Sequence, residues 1–435
     1  MGTVFNVTGG YILGMAPHNQ PPGSLLQEER EFLRELAFRV REIAALPIQE
    51  KRRNLWIAHN DLRGTRPMVA LYPEDCWAEV LPESACTLTD PFWKQWEWYL
   101  RHLLYRHEYY VDDFVVEPDV WVPAVVEATD YGLNPVIHHG GQKGSYVWEA
   151  PIQNEKDVEK LRVPEYRVNH ELSNLRLAAV QDALGDILPV HMRYVENIVV
   201  NLVGEYTYLR GITQFYCDML DNPGLVHRLM GFFADCITKK YKTFEEAGLL
   251  QTNNRNHYVD SGGNGYTQTL PGVGSGQGGK ALLCDLWCHG VAQEMSEVSP
   301  DMHRTFLLAY QKRIMDLCGL VGYGCCEPYT HKFDMLREDI PNLRRVSVSP
   351  WCDVEKAALK LKRDYIYSFK PNPSVVINTY SEKNIREYIR PVLEKTQGCE
   401  VELIHKDLFS IMGEPQRLAR WTNIVRDEVA RIYGE

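Results

Sequence analysis

From about residue 115 onward, the chain alternates short apolar runs with amphipathic stretches of helical period, and that alternation leaves few architectures open. The runs fall at 120–126, 187–193, 257–259, 281–286, 319–324, 345–349, 365–369 and 401–404. Helical patterns lie between them, such as 220–246, 300–318, 353–361 and 382–397. Short strands joined by crossover helices make parallel sheets. About eight such units closing on themselves predict an α/β fold, a (β/α)8 TIM barrel. An open doubly wound sheet is the alternative. It is weakened because no Gly-x-Gly-x-x-Gly sequence stands between a strand and a helix. The glycine-rich stretch 272–279 precedes a strand and lacks the Gly-Lys-Ser/Thr ending of a phosphate loop. It reads as a mobile loop at the barrel mouth.

The 435 residues exceed the roughly 250–300 at which one core stops growing. The surplus reads as an N-terminal arm and helical layer over 1–115, packed on a barrel over 116–435. Residues 1–27 are rich in Gly, Pro and Asn. A helix follows, with Glu28, Glu29 and Glu31 in its first turns and a stripe of Leu33, Leu36, Ala37, Val40, Ile43 and Ala44. A second short helix ends near Ala58, and a polar turn over 59–67 leads into a strand at 68–72. The stretch 91–110 is helical and carries Phe92, Trp93, Trp96, Trp98, Tyr99, Tyr105, Tyr109 and Tyr110. Two readings are open: a helix pinned to the barrel by bulky side chains, or an aromatic wall over a flat ligand. Aromatics dominate cores, which favours the first.

Charge narrows the function classes. Lys and Arg number 47 and Asp and Glu 58, a net charge of −11. Nucleic-acid binders need a basic footprint, and so do polybasic membrane anchors. No apolar run is long enough to span a bilayer. The first residues lack the basic and apolar regions of a secretion signal, so the expected location is the cytoplasm. The 11 cysteines show no small-scaffold spacing and read as free thiols. The sequence fixes no oligomeric state, and a homodimer is compatible with it.

In a barrel, chemistry sits at the C-terminal ends of the strands. The run at 187–193 ends in Arg193 and Tyr194. The strand from Ala281 ends in a stretch that carries Asp285, Trp287 and His289. The run at 319–324 leads into Cys325, Cys326 and Glu327. The run at 345–349 leads into Cys352, and that at 365–369 into Lys370 and Asn372. Thiols, an imidazole and carboxylates on successive strand ends predict one shared cavity. Cys325 or Cys326 with Cys352, His289 or Glu327 is a donor set that zinc accepts. The competing reading has most of these thiols simply packing. Glu327, held before a proline that stops strand pairing, reads as a general acid or a metal ligand rather than a helix cap. Asp285 and His289 are further catalytic candidates. Arg193 and Lys370 are cations able to hold a substrate carboxylate, or members of an interior ion pair. Tyr194, Trp287 and Asn372 complete the substrate-binding candidates. The pair His138-His139 reads as local structure.

Several stretches in order resemble the uroporphyrinogen decarboxylase superfamily, in a decarboxylase-like branch. They are Trp56-Ile57-Ala58-His59-Asn60-Asp61-Leu62 with Arg66-Pro67; Leu209-Arg210-Gly211 leading to Asp221-Asn222-Pro223-Gly224-Leu225; Asp285-Leu286-Trp287; Ser299-Pro300; Tyr323-Gly324-Cys325-Cys326-Glu327-Pro328; Ser349-Pro350-Trp351; Lys370-Pro371-Asn372-Pro373; and Lys406-Asp407 before Arg417-Leu418-Ala419-Arg420-Trp421. The resemblance implies a (β/α)8 barrel with its site at the C-terminal mouth. The decarboxylases of the family carry an N-terminal Arg-rich motif that this sequence lacks. Other members are zinc-binding methyltransferases that exchange methyl groups with a corrinoid protein. The branch is similar to the substrate-demethylating component of anaerobic O-demethylases. The expected cofactors are therefore zinc and a corrinoid supplied by a separate protein, and the expected substrate is a small methylated donor. Where coenzyme M-type members place a His-x-Cys pair, this sequence has Cys325-Cys326 followed by Glu327. The rival reading is a metal-independent lyase acting on a carboxylated substrate held by Arg193 and Lys370.

Overall fold

Seven strands form one parallel sheet, in the order β1 (Met68–Leu71), β13 (Glu400–His405), β12 (Ile366–Phe369), β11 (Leu343–Val348), β10 (Leu320–Tyr323), β9 (Trp287–Gly290) and β8 (Ile198–Val200). The structure is a computed structural model that describes residues 20–139, 146–259, 261–272, 280–378 and 380–434. A separate parallel pair joins β2 (Val120–Pro123) to β7 (Val190–Arg193). Two antiparallel pairs project from the chain between them, β3 (Val126–Ala128) with β6 (Tyr166–Val168) and β4 (Val136–His139) with β5 (Tyr146–Glu149). The β2–β7 pair meets the large sheet without regular strand pairing. On one side the Asp113 N–H donates to the Val69 carbonyl at 2.8 Å. On the other, Val195 and Leu250 make an isolated parallel bridge. The described strands thus establish a parallel α/β sheet, while strand pairing does not close it into a ring.

Three elements differ from the sequence expectation. The strand expected at 281–286 begins only at Trp287. Leu283–Asp285 is a tight turn instead, because the Asp285 carboxylate accepts the Leu282 N–H at 2.9 Å. The stretch 257–259 makes a single bridge, between Tyr258 and Asn264. The helix expected at 220–246 is two helices, Ile212–Asp221 and Pro223–Glu246. Asn222 caps the second by accepting the Leu225 N–H, and Pro223 occupies its first turn. The glycine-rich loop at 273–279 lies outside the described residues.

The N-terminal segment supplies a sheet strand as well as a helical layer. β1 pairs with β13 along its full length. The Arg66 guanidinium grips Asp113 through two bonds of 2.8 Å, with both residues buried. The aromatic helix Pro91–Tyr109 buries Phe92, Trp93, Trp96 and Trp98. Phe92, Trp93 and Trp96 pack with helices Gln27–Ala44 and His170–Leu184 and with Val120 and Val122 of β2. That is the pinning role. His138 sits exposed on its hairpin, 3.0 Å from Glu149.

Period-two alternation gives the sheet two unlike faces. Val346, Val348, Tyr367, Phe369, Val401 and Leu403 belong to the apolar core shared with the flanking helices. The opposite face is polar and buried. Arg345 Nε lies 3.0 Å from Glu402, His59 contacts Glu400 at 3.0 Å and Glu402 at 3.2 Å, and Ser368 bonds Glu402. Burial alone would raise the Glu402 carboxyl. The Arg345 charge and the His59 bond and charge outweigh it, with Lys370 helping, and hold the group at about 2. A depressed carboxyl stabilises the fold above its ordinary pKa, and that stabilisation disappears on acidification. Unfolding free energy, measured in denaturant, is therefore expected to fall between about pH 5 and about pH 2. His59 has the opposite sign. Burial pushes it down, but Glu400 and Glu402 raise it above its ordinary value, so its contribution is lost as the pH rises past that raised value. A flat acid limb would contradict the network.

Candidate functional site

The tip of β10 makes an abrupt turn. Gly324 has φ +97°, and a Cβ there would stand 2.3 Å from the Tyr329 ring and 3.3 Å from Ser347 Cβ. Only glycine meets both conditions. The turn presents Cys325, Cys326 and Glu327 in succession. The Ser347 hydroxyl donates to the Cys325 carbonyl at 2.7 Å, and the Cys325 N–H donates to Glu327 Oε2 at 2.8 Å. The Tyr329 hydroxyl donates to Glu327 Oε1. Burial, and then the Glu327 charge, push the Tyr329 hydroxyl far above its ordinary pKa, so it keeps its proton. The Tyr329 N–H in turn donates to Cys352 Sγ at 3.2 Å. Gly324→Ala is expected to cost about 2–4 kcal/mol of stability, read as a lowered thermal midpoint, because strain and overlap act together.

The thiols lie beside a charged group from β13. Cys325 Sγ and Cys326 Sγ are 3.5 Å apart, and the Ser261 hydroxyl donates to Cys325 Sγ at 3.5 Å. Cys326 Sγ lies 3.3 Å from Asp407 Oδ2, Lys406 Nζ reaches Asp407 Oδ1 at 2.5 Å, and the Asp407 N–H donates to Glu74 at 2.7 Å. The bond from Cys326 lowers the Cys325 thiol to about 6. Burial opposes this, and the Lys406 charge and the Ser261 bond assist it. The same bond, with burial, pushes Cys326 far up. Burial works against Lys406, but Cys325, Asp407 and Glu74 raise it and keep it an ammonium. Tyr72 and Tyr258 stand edge to face at 4.7 Å, with the charges of Glu74 and Cys325 bearing on Tyr258.

The expected residues divide into those gathered here and those placed elsewhere. Cys325, Cys326, Glu327 and Cys352 form one neighbourhood. Lys370 is buried one strand away, with Nζ 2.5 Å from the Ser368 hydroxyl. His289 is buried on β9, where period two puts it on the same face as Trp287. Asp285 and Trp287 stand at the start of β9, the opposite end from the Cys325 turn. Trp287 packs with Leu320 and Ile366, its ring 4.8 Å from the Arg345 guanidinium. Their expected place at a strand end is corrected by the later start of β9. Tyr194 is half-buried and donates its N–H to Gln251 at 3.0 Å. Asn372 takes its N–H to the Tyr388 hydroxyl and accepts the Ser374 N–H, a turn-capping role. Arg193 is buried at the end of β7 and makes no hydrogen bond through its guanidinium among the described residues. Its one ion contact is Glu196 at 3.8 Å.

The donor set does not fit a zinc ion. Cys352 Sγ accepts the Tyr329 N–H at 3.2 Å and lies 3.6 Å from the Ser349 hydroxyl. Among the described residues no three His, Cys, Asp or Glu side chains converge on a common point at metal-ligand distances. Sequence reasoning gave no site role to Lys406, Asp407, Glu74, Ser261 or Tyr329. Lys406 and Asp407 follow directly on the apolar run at 401–404, so the strand-end rule that found Glu327 also reaches them.

No family model matches the sequence, and no curated protein matches it. Among solved structures, a methyltransferase from Methanosarcina mazei is similar at 11% identity, over 97% of this chain and 99% of that chain, with a TM-score of 0.37. A likeness that low carries neither fold nor activity across. Among the described residues, no helix is long and apolar enough to cross a membrane.

Proposed function

We propose that the chain is a (β/α)8 methyltransferase of the uroporphyrinogen decarboxylase superfamily, moving a methyl group from a small methoxylated substrate to a corrinoid carried by a separate protein. The observation that carries the reading is the gathering of the Glu327–Tyr329 pair, the Cys325–Cys326 thiols and Lys406–Asp407 at the tips of β10 and β13. The order of motifs along the chain supports the family. The partner's corrinoid, when bound, supplies the nucleophile that accepts the methyl group. This chain's part is to hold the donor and manage the proton at the departing oxygen. Glu327 takes up a proton at the carboxylate and hands it to that oxygen. Tyr329 and the Cys325 N–H fix the carboxylate between turnovers. Tyr72 and Tyr258 offer aromatic edges against a flat donor. Lys406 places positive charge beside the oxygen as it gains negative charge. No step runs through zinc, since among the described residues no set of three donors gathers on a common point. The test is methylation of a Co(I) corrinoid protein across a panel of methoxylated donors. Transfer with any donor supports the reading, and no transfer across aromatic and aliphatic donors ends it.

A second reading, a lyase acting on a carboxylated substrate, is favoured by Arg193. Among the described residues its buried guanidinium makes no hydrogen bond and has only Glu196, at 3.8 Å, to offset its charge, which leaves room for a substrate anion. Arg176 is likewise buried, has no carboxylate partner among the described residues, and feels the Arg193 charge. Release of carbon dioxide from carboxylated donors, without corrinoid, is its signature.

A further inference from the structure

The proton chemistry above uses Glu327 and Tyr329 and leaves the two adjacent thiols without a task. Their sulfurs stand 3.5 Å apart on consecutive residues. Both are half-buried, as are Cys86 and Cys399, whereas Cys76, Cys236, Cys288, Cys318 and Cys352 are buried and Cys217 and Cys284 exposed. Each sulfur also has a different polar neighbour. The Ser261 hydroxyl donates to Cys325, and the Lys406 ammonium bears on it. Cys326 Sγ stands 3.3 Å from the Asp407 carboxylate, a base within reach of its proton. A hydroxyl and a cation thus face one sulfur, and a carboxylate faces the other.

We propose that Cys325 and Cys326 are a reversible redox pair that closes to a vicinal disulfide by exchange with a low-molecular-weight disulfide. The Cys325 thiolate attacks one sulfur of the small disulfide, forming a mixed disulfide and expelling the first thiolate. Cys326 then loses its proton to solvent through Asp407 and attacks the Cys325 sulfur, expelling the second. The protein pair gives up two electrons, and the small disulfide is reduced to two thiols. The Ser261 hydroxyl and the Lys406 charge beside Cys325 favour its thiolate as the first nucleophile. Because the Cys325 N–H holds Glu327, drawing the two sulfurs together moves the turn that positions that carboxylate. The redox state of the pair is thereby tied to the Glu327 site.

The test uses the full-length protein, reduced and then treated with glutathione disulfide, blocked with iodoacetamide, digested and weighed. The expected result is a peptide spanning both residues that is lighter by about 2 Da than the dithiol, carries no glutathione and no alkyl group, and reverts with dithiothreitol. Cys326→Ser is expected to trap the intermediate as a glutathione adduct of about 305 Da on Cys325. A wild-type peptide alkylated at both positions, or one that retains glutathione on Cys325, overturns the proposal. The readout is a mass, so it stands or falls apart from methyl transfer.

Discussion

Replacing Arg345 with methionine is expected to lower the free energy of unfolding by about 3–5 kcal/mol, because it leaves a buried carboxylate without its main counter-charge. Arg345 is wholly buried on β11. It lies 3.0 Å from Glu402, donates to Asn60 Oδ1 at 2.7 Å and sits 4.8 Å from the Trp287 ring centre. Methionine matches the length of the stem and none of the charge. Glu402 keeps His59 and Ser368, which are not enough to replace a guanidinium. The second arm is Arg345→Met with Glu402→Leu. Removing both charges costs less than removing one, since neither is left unpaired. Denaturant unfolding of the two variants decides the matter. If the double variant is the less stable by the sum of both losses, the charges are independent and the network account is wrong.

Glu327→Gln is expected to reduce methyl transfer by about 10²–10⁴-fold, the usual worth of a positioned proton donor. The amide retains an oxygen, so it can still accept either the Cys325 N–H or the Tyr329 hydroxyl, and the fold should hold. What it cannot do is take up and release a proton. The loss should therefore lie in kcat with KM nearly unchanged, and should be smallest for donors whose leaving group is already a good one. Tyr329→Phe removes the hydroxyl that steadies Glu327 and should fall between the variant and the parent. Equal rates for Glu327→Gln and the parent on the same donor would remove Glu327 from the chemistry.

Reading along the chain found the strand and helix alternation, because burial on one face and period two leave a strong pattern. Six of the eight runs from residue 115 coincide with or overlap parallel strands of the sheet or of the β2–β7 pair. The failure at 281–286 has a local cause. Ala281, Leu283 and Leu286 are apolar and buried, so the run has the composition of a strand. Asp285 turns back on the Leu282 N–H and shifts the strand start to Trp287. A single side-chain bond therefore moved Asp285 and Trp287 to the wrong end. The site itself was partly legible. Cys325, Cys326 and Glu327 are consecutive, and a tip residue is visible from the strand before it. Tyr329 and Cys352 were harder, because their roles depend on a turn whose shape is set by Gly324. Glu74 could not be found by strand-end reasoning over 116–435, since it lies in the segment read as a covering layer.

That placement of Glu74 bears on how the chain can be cut. β1 fills the position next to β13, and Glu74 follows β1 to hold the Asp407 N–H. Trimming the first third would bare the hydrogen-bonding edge of β13, which invites pairing with other molecules. It would also release Asp407 from its anchor and slacken the hold on Lys406 and Cys326. The first hundred residues are in this sense part of the sheet and of the support beneath the Cys325 turn, not a cover laid over them.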